Sequence, residues 1–73
     1  MRRYHALNTD RYGNIYLTGG PNILKYNNNG DFITSWTLSD PDLYAKWATV
    51  DDSGKIYVAF SGRKAGVKVF MPE

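Results

Sequence analysis

The sequence predicts an all-β fold assembled from two copies of one strand-and-turn unit. Clusters of Asn, Gly and Asp recur about every 8 to 12 residues, and the segments between them are rich in Tyr, Ile, Val, Thr, Phe and Trp. No segment keeps a 3.6-residue apolar period for as long as about ten residues, so helices have no support. One short pattern, Asp-x-x-Gly-x-Ile-Tyr, occurs twice.

The elements follow from this punctuation. A first strand over Tyr4–Thr9 ends at Asp10-Arg11-Tyr12-Gly13, where an Asp that bonds its own backbone precedes a Gly able to take φ > 0. Asn14–Thr18 and Asn22–Asn27 come next, separated by the Gly19-Gly20-Pro21 turn. Asn27-Asn28-Asn29-Gly30 offers the left-handed conformers of a tight hairpin and leads into Asp31–Thr37. Around Asp40, Pro41 is placed to open one helical turn, after which Lys46–Val50 returns to strand composition. Asp51-Asp52-Ser53-Gly54 repeats the first turn and separates this strand from Lys55–Phe60. Gly66–Met71 completes a second set of three strands.

The two sets align. Asp10-x-x-Gly13-x-Ile15-Tyr16-Leu17 overlays Asp51-x-x-Gly54-x-Ile56-Tyr57-Val58 at an offset of 41, and Tyr26 matches Phe70 at an offset of 44. A period in the low forties with about four strands per period belongs to radial or stacked repeats. The pattern from Asp10 to Leu17, then Ile23-Leu24-Lys25-Tyr26, Asn29-Gly30-Asp31-Phe32 and Trp36, resembles an NHL-type β-propeller blade. Ala48-Thr49-Val50-Asp51 to Val67-Lys68-Val69-Phe70 resembles the same repeat. The resemblance implies a first blade with its connecting loop over residues 1–45 and an incomplete, three-stranded blade over 46–73. Propellers of that family usually have about six blades, so the resemblance also implies a partner that supplies the rest.

Alternation along the inner strand puts Ile56, Val58 and Phe60 on one side and Tyr57 and Ala59 on the other, all fit for apolar surroundings. Two blades bury only the interface between them and leave an apolar face on each, which soluble monomers rarely tolerate. A homo-oligomer closed by head-to-tail contacts is therefore expected, with three protomers supplying about six blades. Completion by another protein is the alternative. The near-duplicate units and the ending Met71-Pro72-Glu73 also suit a fragment of a longer propeller, natural or laboratory-made.

Composition narrows the chemistry. Nine Lys+Arg against seven Asp+Glu give +2, which permits an acidic partner without requiring one. The absence of cysteine removes disulfides and Cys-type zinc sites. No run approaches the roughly 18 apolar residues of a membrane span. Met1-Arg2-Arg3-Tyr4 leads into polar sequence rather than a signal-peptide core. A soluble chain with no membrane partner is expected, and the cytoplasm is favoured.

No Gly-x-Ser-x-Gly, phosphate loop or Cys-His pair is present, so no catalytic residues, metal or cofactor are assigned. His5, the one histidine, reads as a structural strand residue, and Arg2, Arg3 and Arg11 as a basic group near a disordered start. Asp10, Asp51 and Asp52 read as turn caps, and Asp40 and Asp42 as turn caps or cation ligands. The ligand-binding candidates are Tyr44, Lys46, Arg63 and Lys64, with Trp47 beside them. They are expected on the rim formed by Gly19–Asn22, Leu38–Lys46 and Ser61–Ala65, solvated unless a ligand occupies them. Three functions fit: a non-enzymatic binding and assembly module facing a protein or small ligand, an RNA or single-stranded nucleic-acid binder using the rim's cations and aromatic rings, or part of a propeller lyase or lactonase.

Overall fold

Short polar turns between β-forming segments favour antiparallel meanders, because neighbouring strands then need only a few residues to reverse direction. The computed structural model describes residues 4–40 and 42–72, with side chains described from Ala6 onward. The readings for Met1, Arg2, Arg3, Pro41, Glu73 and the His5 side chain lie outside the described residues.

Among the described residues seven strands run β1 (Tyr4–Thr9), β2 (Ile15–Gly19), β3 (Asn22–Tyr26), β4 (Phe32–Thr37), β5 (Leu43–Val50), β6 (Ile56–Gly62) and β7 (Gly66–Phe70). They form a four-stranded sheet β1-β2-β3-β4 and a three-stranded sheet β5-β6-β7, every neighbouring pair antiparallel. No helix occurs among the described residues.

Six boundaries differ from the predicted ones by one residue: β2 runs Ile15–Gly19, β3 stops at Tyr26, β4 starts at Phe32, β6 starts at Ile56 and β7 stops at Phe70. The larger correction is at β5, which begins at Leu43 rather than Lys46. Leu43 and Tyr44 pair with Gly62 and Ser61 of a β6 that runs two residues past its predicted end, and a bulge between Ala45 and Trp47 absorbs Lys46. The extension is worth forming because it buries Leu43 and Ala45.

The turns show why their residues recur. Asp10 Oδ1 accepts the amides of Tyr12 and Asn14 at 2.9 and 3.0 Å. Asp51 Oδ1 accepts those of Ser53 and Lys55 at the same distances. Gly13 and Gly54 follow with φ of 84° and 91°, the left-handed region that a side chain would resist. In the Asn27–Gly30 turn the asparagines cap rather than take left-handed conformers: Asn27 Oδ1 accepts the amides of Asn29 and Asp31, and only Gly30 has positive φ there.

Equivalent residues of the two sheets pair in the same register: Ile15 faces Tyr26 as Ile56 faces Phe70, and Leu17 faces Leu24 as Val58 faces Lys68. Yet the sheets bury opposite sides of that common pattern. The first sheet turns Tyr16, Thr18 and Ile23 into the core. The second turns Ala48, Ile56 and Val58 inward, which correspond to Leu7, Ile15 and Leu17 of the first. The two units therefore stack face to back, as a rotation or translation would place them, rather than face to face. Strand β5 lies against β1, β2 and β3, and Asn8 donates its side-chain amide to the Ala48 carbonyl at 2.8 Å. Leu38, Leu43 and Ala45 close one end of the core, and Trp36, Val50, Phe60 and Phe70 pack around it.

Candidate functional site

Antiparallel connectivity sends alternate turns to opposite ends of the sheets. The β2–β3 turn, the β4–β5 connection and the β6–β7 turn gather at one end. Pro21 O accepts from Leu38 N and Gly20 O from Ala45 N, each at 2.8 Å, tying the first two together. Gly62 adds the third, because its Cα passes so close to Asp42 that a Cβ there would lie 2.5 Å from the Asp42 carbonyl oxygen.

The candidate residues separate into two groups on this end. Arg63 and Lys64 occupy the β6–β7 turn, where the Arg63 guanidinium pairs with the Asp40 carboxylate. Asp40 also accepts the Asp42 amide at 2.9 Å and so caps its own turn. That amide bond, with Arg63 second, holds the Asp40 carboxyl below its ordinary value. The pairing cancels one of the charges that would draw a polyanion to the rim.

Tyr44 lies in β5 rather than in a loop, and Lys46, expected at the start of the strand, lies within it. Tyr44 is 47% exposed, with the Lys46 ammonium 5.8 Å from its ring centre. Trp47, 54% exposed, follows on the outer face of the second sheet. Thus the structure joins Tyr44, Lys46 and Trp47 to a sheet face, while Arg63 and Lys64 stay at the sheet's end.

That face continues through Thr49, Tyr57, Ala59, Val67 and Val69, which alternation and pairing place on the same side. Val67 is 68% exposed. The first sheet has its own outer face, with Leu7 62% exposed and Ile15, Leu17, Leu24 and Tyr26 half-buried around it. Tyr44, Lys46 and Trp47 apart, the residues of these faces were not among the ligand-binding candidates, although the alternation in Ile56-Tyr57-Val58-Ala59 implies an apolar outer face on each unit.

At the opposite end, a cleft of about 160 Å³ opens between the two aspartate turns, lined by Asp10, Tyr12, Tyr16, Lys25, Trp36 and Asp51 among others. Its carboxylates are already engaged. Asp10 Oδ2 accepts the Tyr16 hydroxyl and Asp51 Oδ2 the Tyr57 hydroxyl, both at 2.9 Å. Burial works to raise the Asp10 carboxyl, but the bonds from Asn14, Tyr16 and Tyr12 outweigh it and hold it low. Asp52 does not cap the turn; it lies 3.9 Å from Arg11, with both side chains exposed. No group of His, Cys, Asp or Glu suited to a metal occurs among the described residues, nor does a helix able to cross a membrane.

Comparison with family models, curated proteins and solved structures gives no match. The geometry above therefore carries the functional argument. Its most distinctive part is the pair of unpartnered faces, each equivalent to a face that the molecule buries.

Proposed function

We propose that this chain is a non-enzymatic assembly and binding module of the NHL-type β-propeller kind, which self-associates head to tail and presents its rim loops to a protein or small ligand. The observation that carries this reading is the face-to-back stacking of two equivalent sheets. The outer face of the first sheet, around Leu7 and Leu17, matches the face that the second sheet buries around Ala48 and Val58. The outer face of the second sheet, around Tyr57 and Val67, matches the one that the first sheet buries around Tyr16 and Ile23.

A second copy thus meets the first through an interface of the type already present inside each chain. Covering such faces is worthwhile, since burying one Val, Leu or Ile contributes about 1.5–3 kcal/mol. Heterologous contacts of this sort close into a ring when the rotation per unit divides a full turn, and three protomers supply about six blades. The RNA reading loses support from the Arg63–Asp40 pair.

Light scattering at micromolar concentration tests the proposal. Three copies of the 8.3 kDa chain give a mass of about 25 kDa. A strict monomer at that concentration would overturn it. Leu7→Glu, at an exposed position where folding tolerates charge, should reduce the mass to that of a monomer.

A further inference from the structure

The two sheets differ in one respect that the repeat makes visible. In the first, β3 is covered by β4; in the second, β7, the equivalent of β3, has no fourth strand beside it among the described residues. Gly66 to Val69 are all exposed, and the outer edge of β7 offers unpaired backbone donors and acceptors in an extended, ready-made row. This edge borders the outer face of the second sheet, and the inference does not rest on head-to-tail assembly through that face.

We propose that the free edge of β7 is a binding site for an extended segment of a partner protein, which adds to the second sheet as an antiparallel fourth strand. The molecule itself shows what chemistry such a segment needs. Opposite β3, the chain places Phe32 against Tyr26, Thr34 against Lys25, Ser35 against Leu24 and Trp36 against Ile23. The Phe32 and Tyr26 rings meet edge to face at 5.7 Å, and the Trp36 ring stacks on Tyr16 at 6.4 Å.

Transferred to the second sheet at the offset that relates β3 to β7, the incoming aromatic pair falls opposite Phe70 and Val67. Its Trp then lies over Tyr57, the equivalent of Tyr16. The partner is accordingly an extended segment of the form Phe-x-x-x-Trp with small β-formers between. Main-chain hydrogen bonds supply affinity and the two aromatic positions set the register. The added Trp also covers part of the exposed surface around Val67 and Val69.

The probe is a synthetic peptide with the sequence of residues 31–38, Asp-Phe-Ile-Thr-Ser-Trp-Thr-Leu. It is titrated to about 1 mM, the weak limit expected of a single added strand, into the full chain and into Leu7→Glu, which blocks the head-to-tail contact. Amide hydrogen exchange and chemical shifts are read residue by residue.

The expected result is at least about tenfold slower exchange at the outward-facing β7 amides in both proteins. A peptide with its Trp replaced by Ala should bind at least about tenfold more weakly. Two N-methylated peptides complete the test. Methylation in one alternating phase removes the donors that reach β7 and abolishes binding, whereas methylation in the other phase spares it. Unchanged β7 exchange at the highest peptide concentration, equal binding of the two methylated peptides, or protection confined to Trp47 and Tyr57 would each overturn the proposal. Loss of self-association in Leu7→Glu with peptide binding retained shows that the peptide site does not depend on head-to-tail assembly.

Discussion

Asp10 and Asp51 each perform two tasks with one carboxylate, closing a turn through Oδ1 and fixing a tyrosine six residues later through Oδ2. The Asp51 carboxyl is held down to about 2, first by the Ser53 hydroxyl and then by the Tyr57 hydroxyl and the turn amides, against the opposing effect of desolvation. A group whose folded value lies below its unfolded one contributes stability above the unfolded value, 3.8 for this carboxyl, and that contribution disappears as the pH falls through the folded one. The urea midpoint should therefore hold down to about pH 4 and fall between there and about pH 2. Asp51→Asn should flatten that limb, and an acid limb of unchanged steepness in the variant would count against this assignment. On the alkaline side, burial first and Asp10 second push the Tyr16 hydroxyl above its ordinary value of 10.0. The sign is then reversed: the contribution is whole below pH 10.0 and is lost as the pH rises toward the folded value. Tyr16→Phe should cost about 1 kcal/mol at neutral pH, measured by the same titration, because Asp10 keeps Asn14 but loses its hydroxyl donor.

Strand β5 and the hairpin that follows it show how far local signals reach. Gly62 has φ of 140°, and a Cβ there would meet the backbone of Asp42 and Leu43, so neither partner can move aside cheaply. Gly62→Ala should lower stability by about 1–3 kcal/mol. Gly66→Ala should cost less, because its new Cβ meets the tip of the Phe60 ring, which can rotate away. Chemical denaturation of the two variants checks this order, and equal losses would reject it. The aspartate turns were legible in the sequence because their cause is local, an Asp oxygen and two amides within four residues. The start of β5 was not. Leu43-Tyr44-Ala45 follows Ser39-Asp40-Pro41-Asp42, a turn signal, and Leu and Ala carry little strand preference of their own; pairing with Ser61 and Gly62 and burial in the core decide the outcome. Placing Tyr44 on a loop and Lys46 at the strand's start followed from that missed extension. The Arg63–Asp40 pair joins residues 23 apart and likewise has no local trace. The choice of which side each sheet buries was also hidden, since Ile-Tyr-Leu and Ile-Tyr-Val alternate alike in both copies.

For the whole molecule, the decisive property is that its two free faces are different, each equivalent to a face that the other sheet buries. This makes a prediction that distinguishes head-to-tail assembly from any symmetric pairing. Leu7→Glu disables the outer face of the first sheet and Val67→Glu that of the second, and both residues are more than half exposed, so the fold of each chain survives the change. In head-to-tail association every contact needs one face of each kind. A chain carrying either variant alone therefore stays monomeric, because its remaining face finds only disabled partners. Mixed together, the two variants restore one good interface and stop there, giving a one-to-one dimer of about 17 kDa that does not grow with concentration. Two-fold association through a single face gives the opposite pattern: one of the variants keeps its dimer unaided, and mixing adds nothing. The wild-type chain completes the comparison. A closed ring keeps one mass across a concentration series, whereas contacts that fail to close add chains without limit, so sedimentation of the wild type and of the mixture together decides both the polarity of the contact and whether the faces turn far enough to meet.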